Sequence, residues 1–329
     1  MQFHYTISSR RMHGTIFGNC LKFAHFDEIA QRAALALQNA VRYNKGTKYT
    51  IVRLRRYKSM KAIFLSGAVI ALALSFLLPV SWALLWQIPA LFAAAALGVV
   101  ILYWLFLWIA SLPIRKNTPY ETPSPFYYAL LNSGYRFLYG AAGAKVHISG
   151  LEKLPKDRPF LLVSNHLSNF DNMIQSAALG DCRIAYISKP ENFKIPIGGR
   201  MIHRCCYLPI DRENLRSSTM TIRQASQMLQ NGIINIGVYP EGHRGKGYDL
   251  QPFHAGCLNA AVWAKCPIVV STIAGTENIH RNFPFRRTEV HFDILETIDT
   301  EGRRASALSE EIRQTMQEHL NTYKRGSKK

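Results

Sequence analysis

The segment NHLSNFD (165–171) places His166 five residues before Asp171, directly after the apolar run PFLLVS. A neutral imidazole accepts a proton near pH 7, and a carboxylate beside it fixes the tautomer and supports the imidazolium that forms, so the two residue types suit general-base chemistry. On a regular helix five positions set two side chains roughly 140° apart, so any contact between them needs a bend. The same stretch reads as a helix start. Ser168 and Asp171 fit the S-x-x-[DE] capping pattern, with Ser168 as N-cap, Asp171 at N3, and a helix over 168–179 ending at Gly180. Under that reading Asp171 caps a helix and His166 is a loop histidine; one carboxylate can also do both.

The elements that would position such residues are visible as short apolar runs. FLLVS (160–164), IAYIS (184–188), YLPI (207–210), INIGVY (234–239), PIVVSTI (267–273) and VHFDIL (290–295) read as strands. Helical patterns separate several of them, at 168–179, 216–230 and 256–264, and Ile312, Met316 and Leu320 stripe a last helix from about 306 to 324. This alternation predicts an α/β fold with a mixed, partly parallel sheet flanked by helices. His166 then follows one strand, Arg212 a second, and Glu241 and Arg244 a third, in the stretch YPEGHRGKG. Sites in α/β sheets form past the carboxyl ends of strands. Arginine suits bidentate phosphate recognition, and Gly242 and Gly245 allow a ligand close to the backbone.

In order, these blocks resemble those of the glycerolipid acyltransferases typified by 1-acyl-sn-glycerol-3-phosphate (lysophosphatidic acid) acyltransferases, over about residues 145–275. NHLSNFD is similar to N-H-x-S-x-x-D, CYLPIDR (206–212) to G-x-x-F-I-D-R, YPEGHR to F-P-E-G-T-R, and CPIVVSTI to a Pro-led fourth block, with echoes in SKPENFKIPIGG and LQPFHAGCLNAA. The chain differs at Cys206 (Gly in the family), Pro209 (Phe) and His243 (Thr or Ser). The resemblance implies transfer of an acyl group from acyl-CoA or acyl carrier protein to the hydroxyl of lysophosphatidic acid, giving phosphatidic acid. It implies His166 as general base supported by Asp171, Arg212 and Arg244 with Lys189 on the acceptor phosphate, and Glu241 with Gly242 positioning the acceptor. It implies no metal and no bound cofactor, only the acyl carrier as co-substrate. The alternatives are an acyltransferase for another lysolipid or glycerol-3-phosphate, and a non-catalytic membrane adaptor that binds anionic lipid. A membrane hydrolase would call for G-x-S-x-G, which is absent.

Composition agrees with work at a lipid surface. The net charge of +19 is split: residues 1–61 hold twelve Lys and Arg against two acidic residues, residues 115–329 hold 28 against 19, and residues 62–114 hold no charge and no histidine. Such a basic chain suits an anionic membrane or acidic substrates; nucleic acid is the weaker partner, because no zinc-finger spacing or aromatic RNA-binding signature occurs. The six cysteines form no C-x-x-C pair, which fits free thiols in a reducing compartment.

Within 62–114 two apolar runs, from Ala62 and from Ala90, flank the short link SWALLWQIP, and each approaches the roughly 20 residues a bilayer crossing requires. Arg53 to Lys61 precede them, and Arg115 and Lys116 follow, so the positive-inside rule puts both flanks and the catalytic domain on the cytoplasmic side of the cell membrane. The hairpin either crosses or dips into one leaflet. A start at Met60 would give the first run a signal-peptide look. The expected domains are a basic arm or upstream extension (1–59) holding one short amphipathic helix in HFDEIAQRAALALQNAVRY, a membrane helix hairpin (60–116) and an acyltransferase domain (117–329). SPFYYALLNSGYRFLYGAAG (124–143) reads either as a helix near the headgroups or as core. Oligomeric state leaves no trace in the sequence.

Overall fold

The computed structural model describes residues 65–70, 73 and 84–326. The basic arm, its amphipathic helix and the basic cluster up to Lys61 lie outside the described residues, as does most of the first apolar run, of which 65–70 and Ala73 are helical. The second run forms α1, Leu84–Ser111, which begins inside the expected link and carries Pro89 within it. The link is therefore partly helix: residues 84–88 are uncharged and continuous with the apolar run, so nothing in them stops the helix earlier. Pro89–Ser111, 23 residues with a hydropathy of 2.4 and 6% buried, is long and apolar enough to cross a membrane. Gly67 lies so close to α1 that an added β-carbon would stand 3.2 Å from Ala96 Cα.

Seven strands form one sheet in the order β1-β7-β6-β2-β5-β3-β4. They are β1 Ala144–Ser149, β2 Leu161–Val163, β3 Ile184–Ser188, β4 Leu208–Pro209, β5 Asn235–Val238, β6 Ile268–Ala274 and β7 Thr288–Ile298. All neighbouring pairs are parallel except β6 with β7. The helices that follow are α2 Pro125–Ala141, α3 Phe170–Ala178, α4 Gly198–Arg204, α5 Leu215–Gln230, α6 Asn259–Ala264, α7 Ile279–Asn282 and α8 Ala305–Gly326. The chain steps outward from β2 to β3 and β4 through α3 and α4, then back to β5 and past β2 to β6 through α5 and α6. Right-handed crossovers place these two pairs of helices on opposite faces. The direction of winding reverses at β4, and the returning chain lays β5 and β6 on either side of β2.

Burial follows pattern. Every residue of β6 is buried, as the run PIVVSTI predicts for a strand covered on both faces. Leu308, Ile312, Met316 and Leu320 of α8, spaced by four, are fully buried. α2 buries Tyr128, Leu131, Asn132, Gly134, Tyr135 and Phe137, so this aromatic helix is part of the core. Its other partner is α1: Tyr103 Oη lies 2.9 Å from Ser133 Oγ, and the Tyr103 and Trp104 rings pack on Phe137. β1 and α4 escape sequence reading, because AKVHIS is mostly half-buried and GGRMIHR opens on two glycines. The described cysteines are free thiols.

Candidate active site

The bend that the His166–Asp171 spacing demands is present. α3 runs Phe170–Ala178 rather than 168–179, with Asn169 at the N-cap, yet both bonds expected of the Ser168 and Asp171 pattern form: Ser168 Oγ accepts from Phe170 N at 3.3 Å, and Asp171 accepts from Ser168 N. The Asp171 carboxylate folds back on the loop before it. Its Oδ2 accepts from Leu167 N at 2.6 Å, Ser168 N at 2.8 Å and His166 Nδ1 at 2.7 Å, and its Oδ1 accepts from Thr276 Oγ1 at 2.5 Å. The carboxylate is wholly buried while the imidazole keeps 19% of its surface. An oxygen already receiving two backbone N–H groups is an acceptor, so Nδ1 carries the hydrogen. Nε2, which no described residue engages, is then the lone-pair nitrogen at the open side of the site.

The peptide of His166 is held as firmly as its ring. His166 N donates to Glu241 Oε1 at 3.0 Å, and His166 O accepts from Gly245 N at 2.7 Å. Glu241 is buried, and its other oxygen accepts from Gln251 N at 3.0 Å. Burial pushes its pKa above the ordinary carboxylate value against the lowering by these two N–H groups. The turn YPEG closes through Gly242 N to Tyr239 O at 3.0 Å; Gly242 has φ +75, and a β-carbon there would meet the His254 ring at 3.0 Å. Thus Glu241 and Gly242 shape the loops around His166 from β5, the strand next to β2.

Under the imidazole lies a stack that sequence reasoning missed. His166 stacks on Tyr239 with centroids 4.3 Å apart, and Tyr239 stacks in turn on Tyr186 at 5.7 Å. Both phenols donate to Gln175 Oε1, at 2.9 and 3.2 Å, and Gln175 Nε2 donates to Ser164 Oγ at 2.7 Å. Gly237 makes room, since a β-carbon there would sit 2.5 Å from the Tyr186 ring. Burial holds both tyrosines well above the usual phenol pKa, so they remain hydrogen-bond donors. Tyr239 had a signal, as the last aromatic before PEGHR; Thr276, 105 residues from Asp171, had none.

Five parallel strands, β6, β2, β5, β3 and β4, end along one edge and deliver Thr276, His166, Glu241 with Arg244, Lys189 and Arg212 in that spatial order. At about 4.8 Å per strand, Arg212 starts roughly 14 Å from the His166 strand, and Arg244 one strand away. Lys189, Arg212 and Arg244 are exposed, and none forms an ion pair among the described residues. Pro209 and Cys206 flank this edge. Cys206 has φ +61, the conformation glycine adopts freely, which gives a physical reason for glycine in the related motif. Here the thiol is buried, donates to Tyr120 O at 3.4 Å and is pushed up to about 11 by desolvation.

A family model described as Acyltransferase matches residues 145–274. The 1-acyl-sn-glycerol-3-phosphate acyltransferase alpha of Ovis aries is 26% identical over 220 residues, covering 64% of this chain and 74% of the relative. The 1-acyl-sn-glycerol-3-phosphate acyltransferase of Haemophilus influenzae is 27% identical over 169 residues, 50% of this chain and 68% of the relative. Among solved structures, the 1-acyl-sn-glycerophosphate (LPA) acyltransferase of Thermotoga maritima aligns with TM-score 0.53 and 24% identity, over 68% of this chain and 89% of that one, which shows the fold.

Proposed function

We propose that this chain is a glycerolipid acyltransferase that esterifies the free hydroxyl of lysophosphatidic acid, forming phosphatidic acid, with acyl-CoA or acyl carrier protein as donor, a reading supported by the Acyltransferase match over residues 145–274 and by the relatives above. The observation that carries the chemistry is the buried Asp171 carboxylate with four donors on it, one of them His166 Nδ1. His166 Nε2 removes the proton from the acceptor hydroxyl as its oxygen attacks the thioester carbonyl. The tetrahedral intermediate collapses, the C–S bond breaks, and the imidazolium returns its proton to the departing thiolate. Asp171 stays ionised throughout and stabilises the imidazolium. The balance needs no metal and no bound cofactor.

Arg244, one strand from His166, with Arg212 and Lys189 farther along the same edge, supplies the cationic surface for the acceptor phosphate. Glu241 and Gly242 position the acceptor indirectly, through the His166 peptide. α1 of the hairpin (60–116) carries the acyltransferase domain (117–329) at the membrane: the 23 residues of its apolar stretch span about 35 Å, enough for a hydrocarbon core of about 30 Å. The basic flanks, residues 115 and 116 among them, support a cytoplasmic side for the domain by the positive-inside rule. Purified protein offered a panel of lysolipids, glycerol-3-phosphate and both thioester carriers, with products read by mass, tests the assignment. Phosphatidic acid as main product supports it; preference for an acceptor without a phosphate monoester refutes it.

A further inference from the structure

The loop RNFPFRR (281–287) is not used by the chemistry above. Phe285 is 94% exposed and Phe283 54% exposed, and Phe285 is the most exposed large apolar side chain among the described residues. Arg281, Arg286 and Arg287 flank the two phenylalanines along the chain, are themselves exposed, and form no ion pair among the described residues. Two bare aromatic rings inside a cluster of unpaired guanidinium groups would be poorly placed in water. They match the boundary of an anionic bilayer, where rings enter the headgroup region and guanidinium groups meet phosphates.

The loop also stands where a bilayer would be. α1 and α2 run antiparallel in contact: Gly134 lies beside Leu107, and the ring of Tyr103, one turn earlier on α1, packs on Phe137, nearly one turn later on α2. Following α1 back into its exposed apolar stretch, with Leu97, Ile101 and Leu102 bare, therefore means following α2 toward its C-terminal end. That end is fastened to the loop. Gly143 O accepts from Thr288 N at 3.1 Å, and a β-carbon on Gly143 would meet Arg286 O at 3.6 Å and Arg287 Cα at 3.7 Å. The loop is joined as closely to the site, since it follows Thr276 and α7, and the His280 ring lies 5.3 Å from that of Phe170, the neighbour of Asp171.

We infer that residues 281–287 form a second membrane contact, in which Phe283 and Phe285 enter the headgroup region and the three arginines bind lipid phosphates, seating the catalytic edge on an anionic bilayer. The direction of the bilayer rests on the anchoring by α1 proposed above, but not on the identity of the acceptor. Each arginine should strengthen loop attachment to an anionic surface roughly five-fold.

The full chain carrying Phe285→Cys, labelled with an environment-sensitive fluorophore, is reconstituted into phosphatidylcholine vesicles with and without phosphatidylglycerol, and iodide quenching is measured. Glu301→Cys, in the turn after β7 at the opposite edge of the sheet, is the control. Quenching at 285 should fall several-fold in vesicles containing phosphatidylglycerol, less so once Arg281, Arg286 and Arg287 are changed to Gln, and stay unchanged at 301. Equal quenching at both positions in both vesicles overturns the inference. So does protection at 285 in detergent alone that grows with protein concentration, which would mean a second copy covers the loop. Phe283→Ser with Phe285→Ser should lower turnover of vesicle-borne lysophosphatidic acid several-fold and leave that of a dissolved short-chain acceptor intact. An unmodified protein inactive on both acceptors would refute the proposed function while the quenching result still stands.

Discussion

Replacing Asp171 separates two duties that one carboxylate performs. In Asp171→Asn the amide oxygen can take the place of Oδ2 and keep the bonds from Leu167 N, Ser168 N and His166 Nδ1, while the amide nitrogen donates to a rotated Thr276 hydroxyl. Removing a buried charge also removes a desolvation penalty of several kcal/mol, which offsets the weaker neutral bonds, so stability should stay within about 2 kcal/mol. Catalysis loses the charge that faces the imidazolium. Two unit charges about 4 Å apart at an effective dielectric constant of about 20 interact by about 4 kcal/mol, equivalent to roughly a thousand-fold in rate. Asp171→Ala instead strands two backbone N–H groups and a threonine hydroxyl, at about 1–3 kcal/mol each, and should lower stability by at least about 3 kcal/mol. Initial rates of phosphatidic acid formation and thermal unfolding, measured on the same preparations, test both halves. An Asn variant within roughly ten-fold of the unmodified rate would refute the imidazolium argument. An Ala variant as stable as the Asn variant would refute the loop argument.

His166→Ala should abolish transfer with little change in unfolding temperature, because the backbone bonds at 166 survive; combining it with Asp171→Asn should add almost nothing in rate, and additive losses would show the two acting separately. Glu241→Gln leaves an amide N–H facing a backbone N–H and should lower stability by about 1–3 kcal/mol, read by denaturant unfolding. Because burial raises the Glu241 pKa in the fold, its contribution is greatest at low pH and declines as pH rises through the raised value, so the gap between the two proteins should narrow in that direction. Arg244→Ala, nearest His166, should lower both kcat and kcat/KM for lysophosphatidic acid, whereas Arg212→Ala, roughly 14 Å along the edge from the His166 strand, should act mainly on KM; the reverse pattern would mean that the phosphate sits elsewhere.

The sequence by itself determined six of the seven strands, because their apolar runs are local and continuous: IAYIS is β3 to the residue, and PIVVSTI differs from β6 by one position at each end. It also placed His166, Glu241, Arg244 and Arg212 past strand ends, since a motif and the strand before it are neighbours in the chain. The local S-x-x-[DE] pattern was legible too, since Ser168 N donates to Asp171 and Phe170 N to Ser168 Oγ; what it could not show is that the same carboxylate also takes Leu167 N, His166 Nδ1 and Thr276 Oγ1. Only the tertiary structure decided which strand ends lie side by side. The chain's reversal at β4, which lays β5 and β6 on either side of β2, brings residues 166, 241 and 276 to one edge, and no spacing within the sequence encodes that reversal. The same holds for the Tyr186, Tyr239 and Gln175 stack beneath the imidazole, whose members sit on β3, at the end of β5 and on α3. Hydrophobic period fixes what each element is; the order in which the elements pack fixes which polar groups meet.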